Sequence, residues 1–141
     1  MRLTRQEAQR RFGSARVARL TTVTPEGRPH VVPVTFAVTG EMIYTAVDAK
    51  PKSTTDLRRL HNIRANPYVA VLADHYADDW TQLWWVRADG YAAIADEPAA
   101  MAAPIALLAA RYPQYRDDLP SGPLITISVI EWIGWSARPA D

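Results

Sequence analysis

The 141-residue sequence contains no cysteine, which excludes disulfides, thiolate catalysis and cysteine-bound metals. It has no apolar run near the roughly 18 residues that a membrane-spanning helix needs, and no apolar segment near Met1 that is typical of a secretory signal. We therefore expect a cytoplasmic protein that does not contact a membrane. Glycine is also scarce, and none of the six glycines has the spacing of a dinucleotide-binding fingerprint or a P-loop.

The sequence also lacks an excess of charge and a recognisable set of catalytic side chains. Its 16 basic and 15 acidic residues leave a net charge of +1, which disfavours a nucleic-acid-binding module. The histidines, His30, His61 and His75, share no ligand spacing, so we expect no metal site. There is no Gly-x-Ser-x-Gly elbow and no His-Glu-x-x-His helix. The catalytic residues are therefore unassigned, and an enzyme of this composition needs a cofactor to supply its chemistry.

The chain length favours one domain over residues 1–141. Alternating apolar residues and turn signals predict strands over residues 15–24, 30–38, 42–47, 68–73, 83–95 and 123–135. Helical spacing predicts helices over residues 4–12, 53–64 and 97–112. Short turns join the first three strands, which predicts an antiparallel meander. Helices do not alternate regularly with strands, so the order favours a mostly antiparallel β-barrel with peripheral helices over a doubly wound parallel sheet.

Three residues mark irregularities within these elements. Pro33 cannot donate a ladder hydrogen bond, so its strand should be an edge, contain a bulge or face a ligand. Gly90 predicts a bulge in the strand over residues 83–95. Pro104 should kink or divide the helix over residues 97–112.

The strongest local signal for a ligand is a basic segment between a strand and a helix. The only lysines of the chain lie there, two positions apart, and all the other basic residues are arginines. A helix start offers unpaired N–H groups and partial positive charge, and lysines, hydroxyls and an arginine beside it are typical of a phosphate site. The predicted phosphate ligands are Lys50, Lys52, Ser53, Thr54 and Arg58. The alternative is a solvated basic loop in which Ser53 and Asp56 form an ordinary capping box.

A second signal for a ligand is a pair of adjacent tryptophans. Trp84 and Trp85 are adjacent on a predicted strand and therefore point to opposite faces. If one indole is in the core, the other faces solvent, a partner subunit or a ligand. The alternative is a strand buried on both faces. A phosphate site beside a flat aromatic surface suits a phosphorylated ring cofactor, and these features alone do not choose between flavin mononucleotide (FMN) and a related compound.

Three motifs in a fixed order carry a family resemblance. They are Gly-Arg-Pro-His-Val-Val-Pro-Val at residues 27–34, the basic segment at residues 50–58 with residues 60–67, and Asp-Asp-Trp through Leu-Trp-Trp-Val-Arg to glycine at residues 78–90. With these motifs the chain resembles the flavin and deazaflavin oxidoreductases of the split β-barrel superfamily, related to pyridoxamine 5′-phosphate oxidase. It is most similar to the small branch described as dependent on coenzyme F420. The resemblance covers about residues 15–135.

The resemblance implies a six- to seven-stranded antiparallel split β-barrel and a homodimer with a cofactor in each of two clefts between the subunits. The strand that contains Val32, Pro33 and Val34 would lie along the ring system and contact it mainly through backbone groups. The basic segment named above would hold the phosphate, and Trp85 and Arg87 would approach the cleft from their own or from the partner subunit. The implied reaction is hydride transfer from reduced F420 to a small conjugated or unsaturated substrate.

Several alternatives stay open at this point. The strands over residues 31–36 and 42–47 carry no charged side chain, which disfavours FMN and favours F420. An FMN-dependent oxidoreductase of the same fold remains the first alternative. A carrier that binds F420, flavin or a tetrapyrrole without turnover is the second. Arg87 and Tyr44 are candidate proton donors.

Overall fold

The computed structural model describes residues 1–47 and 57–138. Seven antiparallel strands form one sheet in the order β2-β1-β5-β6-β7-β4-β3. The strands are β1 (Ala18–Val23), β2 (Pro29–Val34), β3 (Ala37–Thr39), β4 (Met42–Ala46), β5 (Tyr68–His75), β6 (Trp84–Ala95) and β7 (Leu124–Ser136). The helices are α1 (Arg5–Ser14), α2 (Arg58–Ala65), α3 (Pro98–Arg111) and α4 (Pro113–Asp117), and a single 3-10 turn spans Trp80–Gln82.

The two edges of this sheet meet at one point of the chain. The edge strands β2 and β3 are consecutive, and only Thr35 and Phe36 separate them. The sheet therefore curves around a common interior until its edges approach, but no ladder joins them among the described residues. This arrangement is an antiparallel split β-barrel with helices at its periphery, and it confirms the predicted fold class.

The prediction of one strand over residues 30–38, and with it the three-strand meander, is wrong. Strand β1 pairs with β2, and β3 pairs with β4. The backbone of Phe36 finds its partner elsewhere: its N–H donates to the Tyr112 hydroxyl at 3.0 Å, and that hydroxyl lies 2.9 Å from the Phe36 carbonyl oxygen. A side chain 76 residues away thus takes the place of a strand partner, and the chain turns between the two edge strands.

The interior of the barrel is apolar. Alternate side chains of β1 (Ala18, Leu20 and Thr22) are fully buried, as the period of a strand requires. Helix α1 closes one end, where Phe12 packs 4.8 Å from the Phe36 ring and 5.3 Å from the Trp132 ring, measured between centroids. A second, smaller cluster lies between α3 and the strands β3, β4 and β7; it includes Ala37, Ala46, Met101, Leu108, Tyr112 and Leu124.

Two of the three predicted irregularities, at Pro33 and Gly90, are found as expected. Pro33 lies on an edge strand, as expected. The register of β6 against β7 shifts between Asp89 and Gly90, which confirms the bulge; a Cβ on Gly90 would lie 2.2 Å from the carbonyl oxygen of Ser128. Of the two outcomes expected at Pro104, a divided helix is wrong, because α3 runs unbroken through this buried residue, and a kink stays a prediction.

Two helix starts were predicted from capping boxes. For α1 the cap is present, since the Thr4 hydroxyl accepts a hydrogen bond from the Glu7 N–H at 3.1 Å. For α2 the described residues differ from the prediction over residues 53–64. Leu57 has an extended backbone and α2 begins at Arg58. The predicted cap, Ser53 with Asp56, lies outside the described residues.

Candidate functional site

The outer face of the barrel sheet carries a cavity of about 520 Å³. Strand alternation explains its walls, because every second residue of β5 and β6 points away from the buried interior. Leu72 faces Arg87 across the ladder, and Asp74 faces Trp85. The cavity is lined by Thr21, Ala70, Leu72, Asp74, Tyr76, Trp85 and Arg87.

Two ion pairs set the charge of this face. Arg87 donates to both carboxylate oxygens of Asp89, at 2.8 and 3.2 Å, and this hydrogen bonding raises the pKa of Arg87 above its ordinary value. A guanidinium nitrogen of Arg19 lies 3.6 Å from a carboxylate oxygen of Asp74. Both pairs are partly exposed, so they contribute little to stability and leave guanidinium N–H groups accessible to a ligand.

The structure brings Trp85 and Arg87 together on one face, and their role at a cofactor cleft stays a prediction. The adjacent Trp84 points the other way and packs against the main core, which confirms that the two indoles lie on opposite sides of the sheet. Leu72 and Tyr76, which also line the cavity, were not predicted. The alternation of β5 could have indicated Leu72, whereas Tyr76 lies beyond the end of that strand.

The predicted residues of β2 divide between the two faces. Val34 is buried and Val32 is partly buried against the core, so neither side chain reaches the outer face. Pro33 is exposed on the outer face, in one row across the ladder with Arg19, Leu72 and Arg87. Three strand spacings separate Pro33 from Arg87, about 14 Å within one protomer. Because β2 is an edge strand, one side of its backbone has no strand partner among the described residues.

Most of the predicted phosphate ligands, Lys50, Lys52, Ser53 and Thr54, lie outside the described residues. Arg58 is described and is the first residue of α2. The next residue, Arg59, was not predicted. It is partly buried, its burial lowers its pKa, and no carboxylate among the described residues pairs with it. A guanidinium in this environment gains from a bound anion.

Tyr44, one of the two candidate proton donors, lies far from this cavity. It packs against the cluster beneath α3. Tyr44 pairs with Thr126, whereas Arg87 pairs with Ile133. At about 3.3 Å per residue, these positions on β7 are about 23 Å apart. The described residues hold no group of three or more His, Asp or Glu side chains that could bind a metal ion.

The sequence and the fold of this chain are similar to those of known proteins. The family model described as pyridoxamine 5′-phosphate oxidase matches residues 4–136. The chain belongs to this family. No curated protein matches the sequence. No helix in the described part of the chain is both long enough and apolar enough to cross a membrane.

Solved structures similar to this one share the fold at low identity. A conserved hypothetical protein from Mycobacterium tuberculosis has a TM-score of 0.78 at 23% identity, with 99% of this chain and 91% of that chain covered. An FAD-binding protein from Mesorhizobium loti has a TM-score of 0.71 at 20% identity, with 95% of each chain covered. HutZ, a heme storage protein from Vibrio cholerae, has a TM-score of 0.72 at 17% identity, again with 95% of each covered.

Proposed function

We propose that this member of the pyridoxamine 5′-phosphate oxidase family is an oxidoreductase that depends on coenzyme F420 and reduces a small conjugated or unsaturated organic molecule. The observation that carries the proposal is the outer-face cavity, which an indole, a leucine and a guanidinium line together. Its volume of about 520 Å³ lies in the range of small-molecule sites.

The residues of the cavity fit a flat ring with polar edges. Leu72, Tyr76 and Trp85 offer apolar and aromatic surface against which a ring can stack. Arg19 and Arg87 provide donors for carbonyl or anionic groups. The basic segment at residues 50–58, together with the desolvated guanidinium of Arg59, is the part of the chain suited to the phosphate.

The choice of F420 over FMN depends on two strands that lack charged side chains. The strands over residues 31–36 and 42–47 carry no charged side chain, so the chain offers few additional contacts for the FMN phosphate near its ring site. FMN remains the alternative, and the FAD-binding protein with this fold supports a flavin in its place.

When bound, reduced F420 supplies a hydride from its deazaflavin ring. Trp85 and Leu72 would exclude water from the face on which the substrate lies. Arg87 would position the substrate as a fixed cation. It is a poor proton donor, because Asp89 raises its already high pKa. Tyr76 is the phenol that lines the cavity, so it or a water molecule would deliver the proton that completes the reduction.

A second protomer would complete the cleft. Val31 is 57% exposed, and Leu72 and Trp135 are each 37% exposed on the same outer face. An apolar sheet surface of this kind is typical of an interface between subunits. We propose a homodimer whose outer faces enclose two cofactor clefts, which would bring Pro33 of one subunit near Arg87 of the other. Size-exclusion chromatography with light scattering tests this: a mass of twice 15.7 kDa supports it, and a monomer at micromolar concentration contradicts it.

A carrier without turnover is the second candidate, because HutZ, a heme storage protein, has the same fold. Fluorescence titration with F420 and, separately, with FMN distinguishes the cofactors. Micromolar F420 affinity with weaker FMN affinity supports the proposal, and the reverse order assigns the protein to the flavin enzymes. Oxidation of reduced F420 in the presence of enones or quinones then separates an enzyme from a carrier. Binding of neither cofactor contradicts the proposal, and titration with heme would test the carrier.

A further inference from the structure

A second polar pocket lies on the opposite side of the sheet from the cofactor cavity. At the ends of β5, β6 and β7 the inward-facing residues His75, Trp84 and Ser136 are neighbours across the ladder. Helix α1 and the turn at residues 80–82 close over them and leave a space of about 380 Å³. It is lined by Arg11, His75, Thr81, Gln82, Trp84, Ser136 and Arg138.

The charged side chains that line this pocket are basic. Arg11 and Arg138 line it, and none of the described lining residues is acidic. Arg11 donates to the Ser136 hydroxyl at 3.0 Å, and Arg138 donates to the Thr81 hydroxyl at 2.8 Å, so hydrogen bonds hold both guanidinium groups at the wall.

Two acids lie close to these guanidinium groups without lining the pocket. Glu7 accepts hydrogen bonds from Arg10 and Arg11, and Asp79 accepts from the backbone and the hydroxyl of Thr81. Both carboxylates are therefore engaged outside the space itself. Neither carboxylate lines the pocket.

Ser136 supplies a further donor. Its side chain is almost completely buried, at 2% exposure. Its oxygen accepts two hydrogen bonds, from Arg11 at 3.0 Å and from the Arg138 backbone N–H at 3.3 Å. Both bonds use the oxygen as acceptor, and the hydroxyl proton has no acceptor among the described residues. An anion in the pocket would accept this proton.

We propose that this pocket is a binding site for a small oxyanion, namely the phosphate or carboxylate group of a small molecule, with the carbon part of the ligand against the Trp84 indole. Two guanidinium groups and the Ser136 hydroxyl converge there, and donors of this kind suit such anions. The site is separate from the cofactor cavity, because Trp84 and Trp85 lie on opposite faces of the sheet. The proposal therefore does not depend on the redox activity.

The test uses NMR titration of the full chain with inorganic phosphate and, in a second arm, acetate, both at constant ionic strength with chloride. The indole N–H signal of Trp84, assigned with a Trp84→Phe variant, reports the pocket directly. We expect a saturable shift of this signal with phosphate, with acetate or with both, and the arm that binds more tightly identifies the ligand class. Shifts no larger than those in chloride would overturn the proposal.

Variants separate this pocket from other basic sites of the chain. Arg138→Gln, an exposed change that should not affect folding, is expected to weaken the anion affinity about tenfold, the effect of losing one charged hydrogen bond. Arg28→Gln, in the exposed turn between β1 and β2, is the matched control and should leave the affinity unchanged. The Lys50→Ala/Lys52→Ala double variant should keep the Trp84 response even if it loses the cofactor. An unchanged affinity in Arg138→Gln would refute the assignment.

Discussion

The hydroxyl of Tyr112 holds the barrel at the point where its two edges separate, and its removal tests how the fold is closed. In Tyr112→Phe the buried N–H of Phe36 loses its acceptor, and the bond that the hydroxyl donates to the carbonyl oxygen of Phe36 or Arg16 is lost as well. A buried donor left unsatisfied costs about 1–3 kcal/mol, and a second lost hydrogen bond adds about 1 kcal/mol. We therefore expect the free energy of unfolding to fall by about 2–4 kcal/mol.

Urea denaturation followed by tryptophan fluorescence measures this change. If the free energy of unfolding falls by about 2 kcal/mol for each 1 M urea, the midpoint of the unfolding transition should fall by about 1–2 M urea. Tyr115→Phe is the matched control, because it removes one partly buried bond, to the Thr35 hydroxyl, and should cost about 1 kcal/mol or less. Both variants are compared at one protein concentration, since a dimer is stabilised by mass action. Equal midpoints for the two variants would show that the Tyr112 hydroxyl does not close the barrel.

Three further predictions concern the cofactor, the bulge and acid stability. Replacing Lys50 and Lys52 by alanine together should abolish most of the cofactor affinity in a fluorescence titration and leave the circular dichroism spectrum intact; unchanged affinity would refute the phosphate assignment. Gly90→Ala should lower the free energy of unfolding by about 1–3 kcal/mol, because the new Cβ meets a backbone oxygen of β7 at 2.2 Å. The control is Gly13→Ala in α1, where a Cβ has no neighbour within 4 Å, and this change should not lower the stability of the fold. Hydrogen bonds from Arg10 and from the arginine after it lower the pKa of Glu7 from 4.5 to about 2. Because the folded-state pKa is depressed, Glu7 stabilises the fold above pH 4.5 and this contribution is lost as the pH falls toward 2. Glu7→Gln should therefore flatten the loss of stability in that pH range, and an unchanged slope would contradict the ion-pair assignment.

The elements that could be predicted from the sequence are those whose signal is local. The strands β5, β6 and β7 follow runs of apolar and β-branched residues, and their predicted bounds lie within two residues of those in the structure. Gly90 indicated its bulge, because a strand residue without a Cβ is needed where the facing backbone comes close. Pro104 did not divide its helix: α3 continues through this buried residue.

The candidate site was predictable in part. Adjacent Trp84 and Trp85 have to point to opposite faces of a strand, so a strand with one open face places one of them outside the core. Which of the two faced outward depended on the register of β6 against β5 and β7. Nothing in the strand that contains Tyr44 shows that this side chain packs against the cluster beneath α3, far from the cavity.

By itself, the sequence determined the periodicity of the strands, the position of the bulge, the absence of thiol chemistry and the concentration of lysine in one segment. These properties depend on neighbouring residues, so they can be read along the chain. Only the tertiary structure decided that residues 30–38 divide into two edge strands and that the outer face presents Leu72, Trp85 and Arg87 to one cavity. The physical reason is distance in sequence: the group that satisfies the Phe36 backbone belongs to Tyr112, 76 residues away, and no local pattern contains both partners.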